Sequence, residues 1–99
     1  MNFHLQILTR EFEKRRTRNA RYSLRAFASF LGLHPSALSR VFSTKQPLSP
    51  KSGLAVVQKL ALDADEARQF LQSIVEERLQ RESNKLGAVI QARMNTVFE

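Results

Sequence analysis

Apolar positions in the middle of the chain recur at helical spacing until a glycine interrupts them. Leu24, Phe27, Ala28 and Leu31 fall at i, i+3, i+4 and i+7, so they share one face of a predicted helix. Gly32 follows, and a residue without a Cβ readily adopts the left-handed conformation that ends many helices. The pattern therefore predicts a short helix that stops at a tight turn.

A second short helix is predicted directly after this turn. Leu33 is expected to fill the turn, and Pro35 suits the first helical position because its ring presets φ. Leu38 and Val41 supply the inward face. Two short helices joined by a glycine turn are the sequence form of a helix-turn-helix. The remaining positions are small or polar, as a helix entering a DNA groove requires. These outward residues are His34, Ser36, Ala37, Ser39 and Arg40.

Three further amphipathic helices flank this pair. The first is predicted over residues 3–16, capped by Asn2. Another starts at Ser49-Pro50, a cap residue followed by proline, and runs to about Leu60. Asp63 begins the third, which continues to about Glu82. The inward residues expected for the helix that starts at Ser49-Pro50 are Leu54, Val57 and Leu60, with Ala61.

The sequence SNKLG (residues 83–87) is expected to interrupt the helical pattern, and a sixth apolar stripe begins at its leucine. Its members are Leu86, Ile90, Met94 and Val97. Because five helices already fill a core, three partners stay open for it: the first helix, a second subunit in a homodimer, or a further domain. The predicted fold class is all-α, a compact five-helix bundle with a helix-turn-helix and a C-terminal sixth helix. Residues 1–82 are predicted to form a helix-turn-helix domain of the DNA-binding type, and residues 83–99 a helical extension for packing or dimerisation.

Composition limits the range of functions. A chain of 99 residues with 42% hydrophobic and 25% charged residues is expected to form one globular domain. It has no cysteine, so it has no disulfide or thiolate metal site, and His4 and His34 lack the spacing of zinc ligands. No metal or other cofactor is predicted. The N-terminus does not resemble a signal peptide and no apolar run reaches about 18 residues, so we expect a cytoplasmic, nucleoid-associated protein without membrane contact.

The charge is unevenly distributed along the chain. The net charge is +7, and no acidic residue occurs between Lys14 and Leu62. A segregated positive field attracts polyanions. A solvated basic surface is the plainer interpretation, but overlap with the two short helices favours nucleic acid. The basic residues of this span are Lys14, Arg15, Arg16, Arg18, Arg21, Arg25, Arg40, Lys45, Lys51 and Lys59.

Two groups of residues are candidates for DNA contact. Ser36, Ser39 and Arg40 are predicted to read base edges, since arginine can bond to guanine in a bidentate manner. His34 is either a further base reader or the cap of its helix. Phosphate contacts are expected from the loop after this helix and from the basic side chains around it, although a flexible connector and an ordinary polar loop are alternatives. These phosphate candidates are Arg15, Arg16, Arg18, Arg21, Arg25, Ser43, Thr44, Lys45 and Lys51.

The spacing of Phe27, Ala28, Leu31, Gly32 and Leu33, with Leu38 and Val41, resembles the helix-turn-helix of lambda-repressor-like (Cro/CI-type) domains. This resemblance covers about residues 23–70. Residues 18–49 are also similar to the N-terminal region of an uncharacterised family of bacterial transcriptional regulators, in which this domain precedes a larger region. The resemblance implies a regulator without an assigned ligand. Since longer members continue where this chain ends, we expect a short stand-alone member.

These features predict sequence-specific binding of double-stranded DNA by a regulator of transcription, with residues 35–42 in the major groove. The alternative is a protein-interaction adaptor that keeps the fold without binding DNA, and a partner surface on residues 83–99 would support it. An enzyme is not predicted, because the sequence shows no catalytic triad, phosphate loop or metal cluster.

Overall fold

Five α-helices account for most of the chain in a computed structural model, which describes residues 2–98, with side chains for residues 2–95. No strand occurs in this part of the chain, so the prediction of an all-α fold is confirmed. The helices are α1 (Phe3–Arg18), α2 (Leu24–Leu31), α3 (Pro35–Phe42), α4 (Pro50–Leu60) and α5 (Ala64–Phe98).

Side-chain caps determine where four of these helices begin. Asn2, Ser23, Ser49 and Asp63 each accept a hydrogen bond, through a side-chain oxygen, from the backbone N–H three residues later. These bonds are 2.8 to 3.1 Å long. Each cap satisfies a donor that the first turn of a helix leaves unpaired. The beginnings predicted for α1, α2, α4 and α5 are therefore confirmed.

The core lies where α2 and α3 pack among the three longer helices. Phe27, Ala28, Leu31 and Leu38 are fully buried, as their spacing predicts. The ring of Phe12 stacks on that of Phe27, with centroids 5.3 Å apart, and so joins α1 to α2. Because Leu38 anchors α3 in this core, the exposed side of α3 is held in a fixed position.

The inward face of α4 differs from the prediction. Val56 is fully buried, whereas Leu54 is 53% exposed and Ala61 is exposed too, so the predicted face is wrong at these two positions. The reason lies at Gly53, which is buried against Ile74 of α5, where an added Cβ would collide with the Ile74 Cδ1 atom. Because the glycine allows α4 to approach α5 closely, the buried face is centred on Gly53 and Val56.

The separate sixth helix is not confirmed, since α5 continues unbroken from Ala64 to Phe98. Gly87 lies inside this helix and costs only about 1 kcal/mol relative to alanine. Asn84, which was expected to help end the helix, instead accepts a hydrogen bond of 3.0 Å from the Gln80 side chain one turn earlier. The boundary expected after residue 82 therefore falls within a helix. Leu86, Ile90 and Met94 are exposed, and the Val97 side chain lies outside the described ones.

Candidate nucleic-acid interface

The turn between α2 and α3 is fixed by backbone hydrogen bonds. Gly32 has φ 75° and ψ 25°, the left-handed conformation predicted for it. Its N–H donates to the Ser29 carbonyl at 3.2 Å, and the Leu33 N–H donates to the Ala28 carbonyl at 2.8 Å. Leu33 also packs against the core. These contacts fix the direction in which α3 leaves the turn.

His34 caps α3, which confirms one of the two roles considered for it. Its Nδ1 accepts from the Ser36 N–H at 3.3 Å and lies 2.7 Å from the Ser36 hydroxyl. With Nδ1 accepting, the neutral ring carries its proton on Nε2. The His34 ring and the Ser36 hydroxyl are therefore in contact with each other, and both side chains are exposed at the start of α3.

Arg40 is exposed near the end of α3 and is held by the loop that follows. Its Nε donates to the Gln46 side-chain oxygen at 2.8 Å. The backbone N–H groups of Lys45 and Gln46 donate to the Arg40 carbonyl, at 2.9 and 3.3 Å. This arrangement engages Nε and leaves the two terminal nitrogens of the guanidinium for another acceptor. The contact between Arg40 and Gln46 could not be predicted from the sequence pattern, because it depends on how the loop folds back.

Thr44, in the loop after α3, has an unusual backbone conformation. Its φ is 60°, which is unfavourable for a β-branched residue. The loop is fixed at this point by α5, because Arg81 Nη2 donates to the Thr44 carbonyl at 3.1 Å. Strained residues of this kind cluster at functional sites. The strained backbone of Thr44 is therefore held in place by a hydrogen bond from Arg81 of α5.

The link to Arg81 brings basic residues of α5 beside the loop. An open cleft there is lined by Lys45 and Pro47 of the loop and by Arg78, Arg81 and Lys85 of α5, together with Glu82 and Asn84. Sequence reasoning missed this surface because every predicted phosphate contact came from the acid-free span, which ends at Leu62, before α5 begins. The signal was present, since positions 78, 81 and 85 follow the i, i+3, i+7 spacing of one helical face.

Arg15 and Arg16, at the end of α1, already have acidic partners. Arg15 Nη1 donates to Glu11 Oε1 at 3.2 Å, and its guanidinium lies 4.8 Å from the Phe30 ring centre. Arg16 lies 3.6 Å from a carboxylate oxygen of Glu13. The structure therefore places Arg15 in a packing role, which weakens its candidacy as a phosphate contact.

The other predicted phosphate contacts are exposed. Arg18, Arg21, Arg25 and Lys51 make no ion pair with any residue that the structure describes. Ser39 and Ser43 are exposed as well, but they line a shallow pocket together with Glu13 of α1. An acidic residue thus lies at the edge of a surface that the sequence suggested was free of acids.

Comparison with protein-family models, with curated proteins and with solved structures finds no significant match to this chain. Among the described residues, no group of three His, Cys, Asp or Glu side chains is placed to hold a metal ion. No helix in the same part of the chain is both long and apolar enough to span a membrane.

Proposed function

We propose that this protein binds double-stranded DNA in a sequence-specific manner and regulates transcription, with α3 in the major groove. The observation that carries this proposal is the division of α3 into two sides. Leu38 and Val41 are buried, while Ser36, Ser39 and Arg40 are exposed. A rigidly packed helix with small polar residues and one arginine on its outer side suits the width of a major groove.

Arg40 is the proposed base reader with the greatest specificity. Its terminal nitrogens match the O6 and N7 atoms of guanine, and the bond from Nε to Gln46 orients the guanidinium. Ser36 and Ser39 add donors and acceptors beside it. Gln46 is thus a positioning residue for this contact.

Phosphate contacts are proposed on both sides of α3. One set comes from exposed cations that make no ion pair with a described residue, namely Arg18, Arg21, Arg25 and Lys51. A second set comes from Thr44 and Lys45, in the loop between α3 and α4. Arg78 and Lys85 of α5 extend this surface beyond the loop. Each such contact strengthens binding to every sequence and makes the affinity salt-dependent.

The proposal is tested by selecting bound duplexes from a random pool and measuring affinity for the selected site. We expect Arg40→Ala to weaken the preferred site by about 1–3 kcal/mol and to relax specificity at one base pair. Arg25→Ala is expected to weaken all sequences alike and to reduce the salt slope by about one.

Arg68→Ala is the matched control, because Arg68 is exposed on α5 and pairs with Asp65 at 2.6 Å. It removes one positive charge outside the proposed surface and should leave binding unchanged. A pool without any enriched sequence, or equal losses for Arg68→Ala and Arg25→Ala, would contradict the proposal.

A protein-interaction adaptor is the second candidate, favoured by the exposed apolar side chains of α5. Retention on heparin separates the two functions. DNA binding requires strong retention that high salt removes, whereas an adaptor without a phosphate-binding surface would pass through the column.

A further inference from the structure

The helix α5 carries a row of apolar side chains that the core does not cover. We name this row the outer stripe, and its members are each 47% to 64% exposed. They are Val75, Leu79, Leu86, Val89, Ile90 and Met94. Residues 80–85, all polar, divide the row in two, and an exposed apolar surface of this kind is typical of an interaction surface.

The outer stripe faces away from the body of the protein. At about 100° per residue, Val75, Leu79, Leu86 and Ile90 fall within a narrow arc of the helix. Phe70, which is buried in the core, lies on the opposite side of α5. The first helix, α1, therefore does not cover this stripe.

The opposite side of the C-terminal half of α5 carries no large apolar side chain among the described residues. Asn84, Ala88, Gln91 and Asn95 continue the side that packs on the core earlier in the helix, and they are small or polar and exposed. Among the side chains that the structure describes up to residue 95, only the outer stripe offers large apolar groups to a partner over this half of the helix.

We propose that a second copy of this chain covers the outer stripe, with the two α5 helices antiparallel about a two-fold axis between residues 87 and 88. Glu82 and Arg93 lie within the arc of the stripe, at nearly the same angle around the helix, because they are eleven residues, about three turns, apart. In this register each Glu82 lies opposite Arg93 of the partner subunit. A parallel pair would instead oppose like charges, glutamate to glutamate and arginine to arginine.

The available area fits such a dimer. The antiparallel register overlaps residues 77–98, which include all of the outer stripe except Val75. Its exposed side chains offer on the order of 500 Å² per chain, so two copies bury about 1,000 Å², near the lower limit of a stable interface. The proposal does not depend on DNA binding, since its evidence lies on α5 alone.

The test is the molar mass of the full chain over a range of concentrations, by sedimentation equilibrium. We expect a dimer of twice 11.4 kDa that dissociates on dilution. Leu86→Gln with Ile90→Gln should give a monomer whose far-UV circular dichroism still shows a folded bundle, because both side chains are exposed. A chain that remains monomeric at the highest concentration would overturn the dimer.

Charge reversal tests the antiparallel register. Glu82→Arg and Arg93→Glu should each raise the dimer dissociation constant on the order of tenfold, and the double variant should restore it. Gln91→Arg, on the opposite side of α5, is the control and should have no effect. In a parallel pair neither single variant changes the number of like-charge contacts, so unchanged dissociation constants in both would overturn the register.

Discussion

Two helices end in the left-handed conformation, one at a glycine and the other at an alanine. Gly32 ends α2 with φ 75°, and Ala61 ends α4 with φ 51°. An added Cβ at Gly32 would meet no atom within 4 Å, and Ala61 is exposed. Exchanging these residue types therefore changes the backbone preference at each turn and very little else.

The two substitutions are expected to have opposite signs. The left-handed region costs an alanine about 1–2 kcal/mol, whereas glycine adopts it freely but loses more entropy on folding, by about 0.5–1 kcal/mol. Gly32→Ala should therefore lower the free energy of unfolding by about 1 kcal/mol, and Ala61→Gly should raise it by a similar amount. Gly32→Asn should cost less than Gly32→Ala, because asparagine tolerates this conformation.

The measurement is urea unfolding followed by far-UV circular dichroism. With an m-value of about 1 kcal/mol/M, each change shifts the midpoint by about 1 M without altering the slope. The double variant Gly32→Ala, Ala61→Gly should unfold near the wild-type midpoint if the turns act independently. The reasoning would be refuted if Gly32→Ala were as stable as wild type, or if Ala61→Gly were less stable.

Two further predictions concern buried positions. Gly53→Ala should destabilise the protein by about 1–3 kcal/mol, because the new methyl group would collide with buried Ile74. Gly87→Ala is the control and should not destabilise the protein, because a Cβ at that position meets no atom within 4 Å. Burial lowers the pKa of His4, so the unfolded chain takes up a proton near pH 6.5 before the folded protein does. The free energy of unfolding should therefore fall as the pH drops below about 6.5, and it should fall less steeply in His4→Gln.

The region from Ser23 to Val41 could be predicted closely because its determinants are local. Caps, a proline at the first helical position and a glycine turn act over three or four residues, so the sequence contains them directly. The buried positions of α2 and α3 follow from the same short periodicity. What α3 binds is not determined by these local signals, and it stays a prediction.

The features that could not be predicted depend on contacts between distant parts of the chain. Glu13 borders the lower edge of an acid-free span in sequence, but only the packing of α1 brings it beside Ser39. The loop after α3 is held by Arg81, which lies 37 residues from Thr44. The continuity of α5 was missed because SNKLG weakens a helix locally, and a cost of about 1 kcal/mol at one glycine is too small to end it.

The inner side of α5 connects the loop after α3 with the N-terminus. Arg81 donates to the Thr44 carbonyl and lies 3.4 Å from a Glu77 oxygen, while the other Glu77 oxygen accepts from Asn2 and lies 3.5 Å from His4 Nε2. The outer side of the same helix carries the stripe proposed to bind a second copy. Because one continuous helix bears both sides, the distance between two α3 helices in the proposed dimer would be set by α5. Taken together, the proposed DNA binding and the proposed dimer predict a target with two half-sites at a fixed spacing.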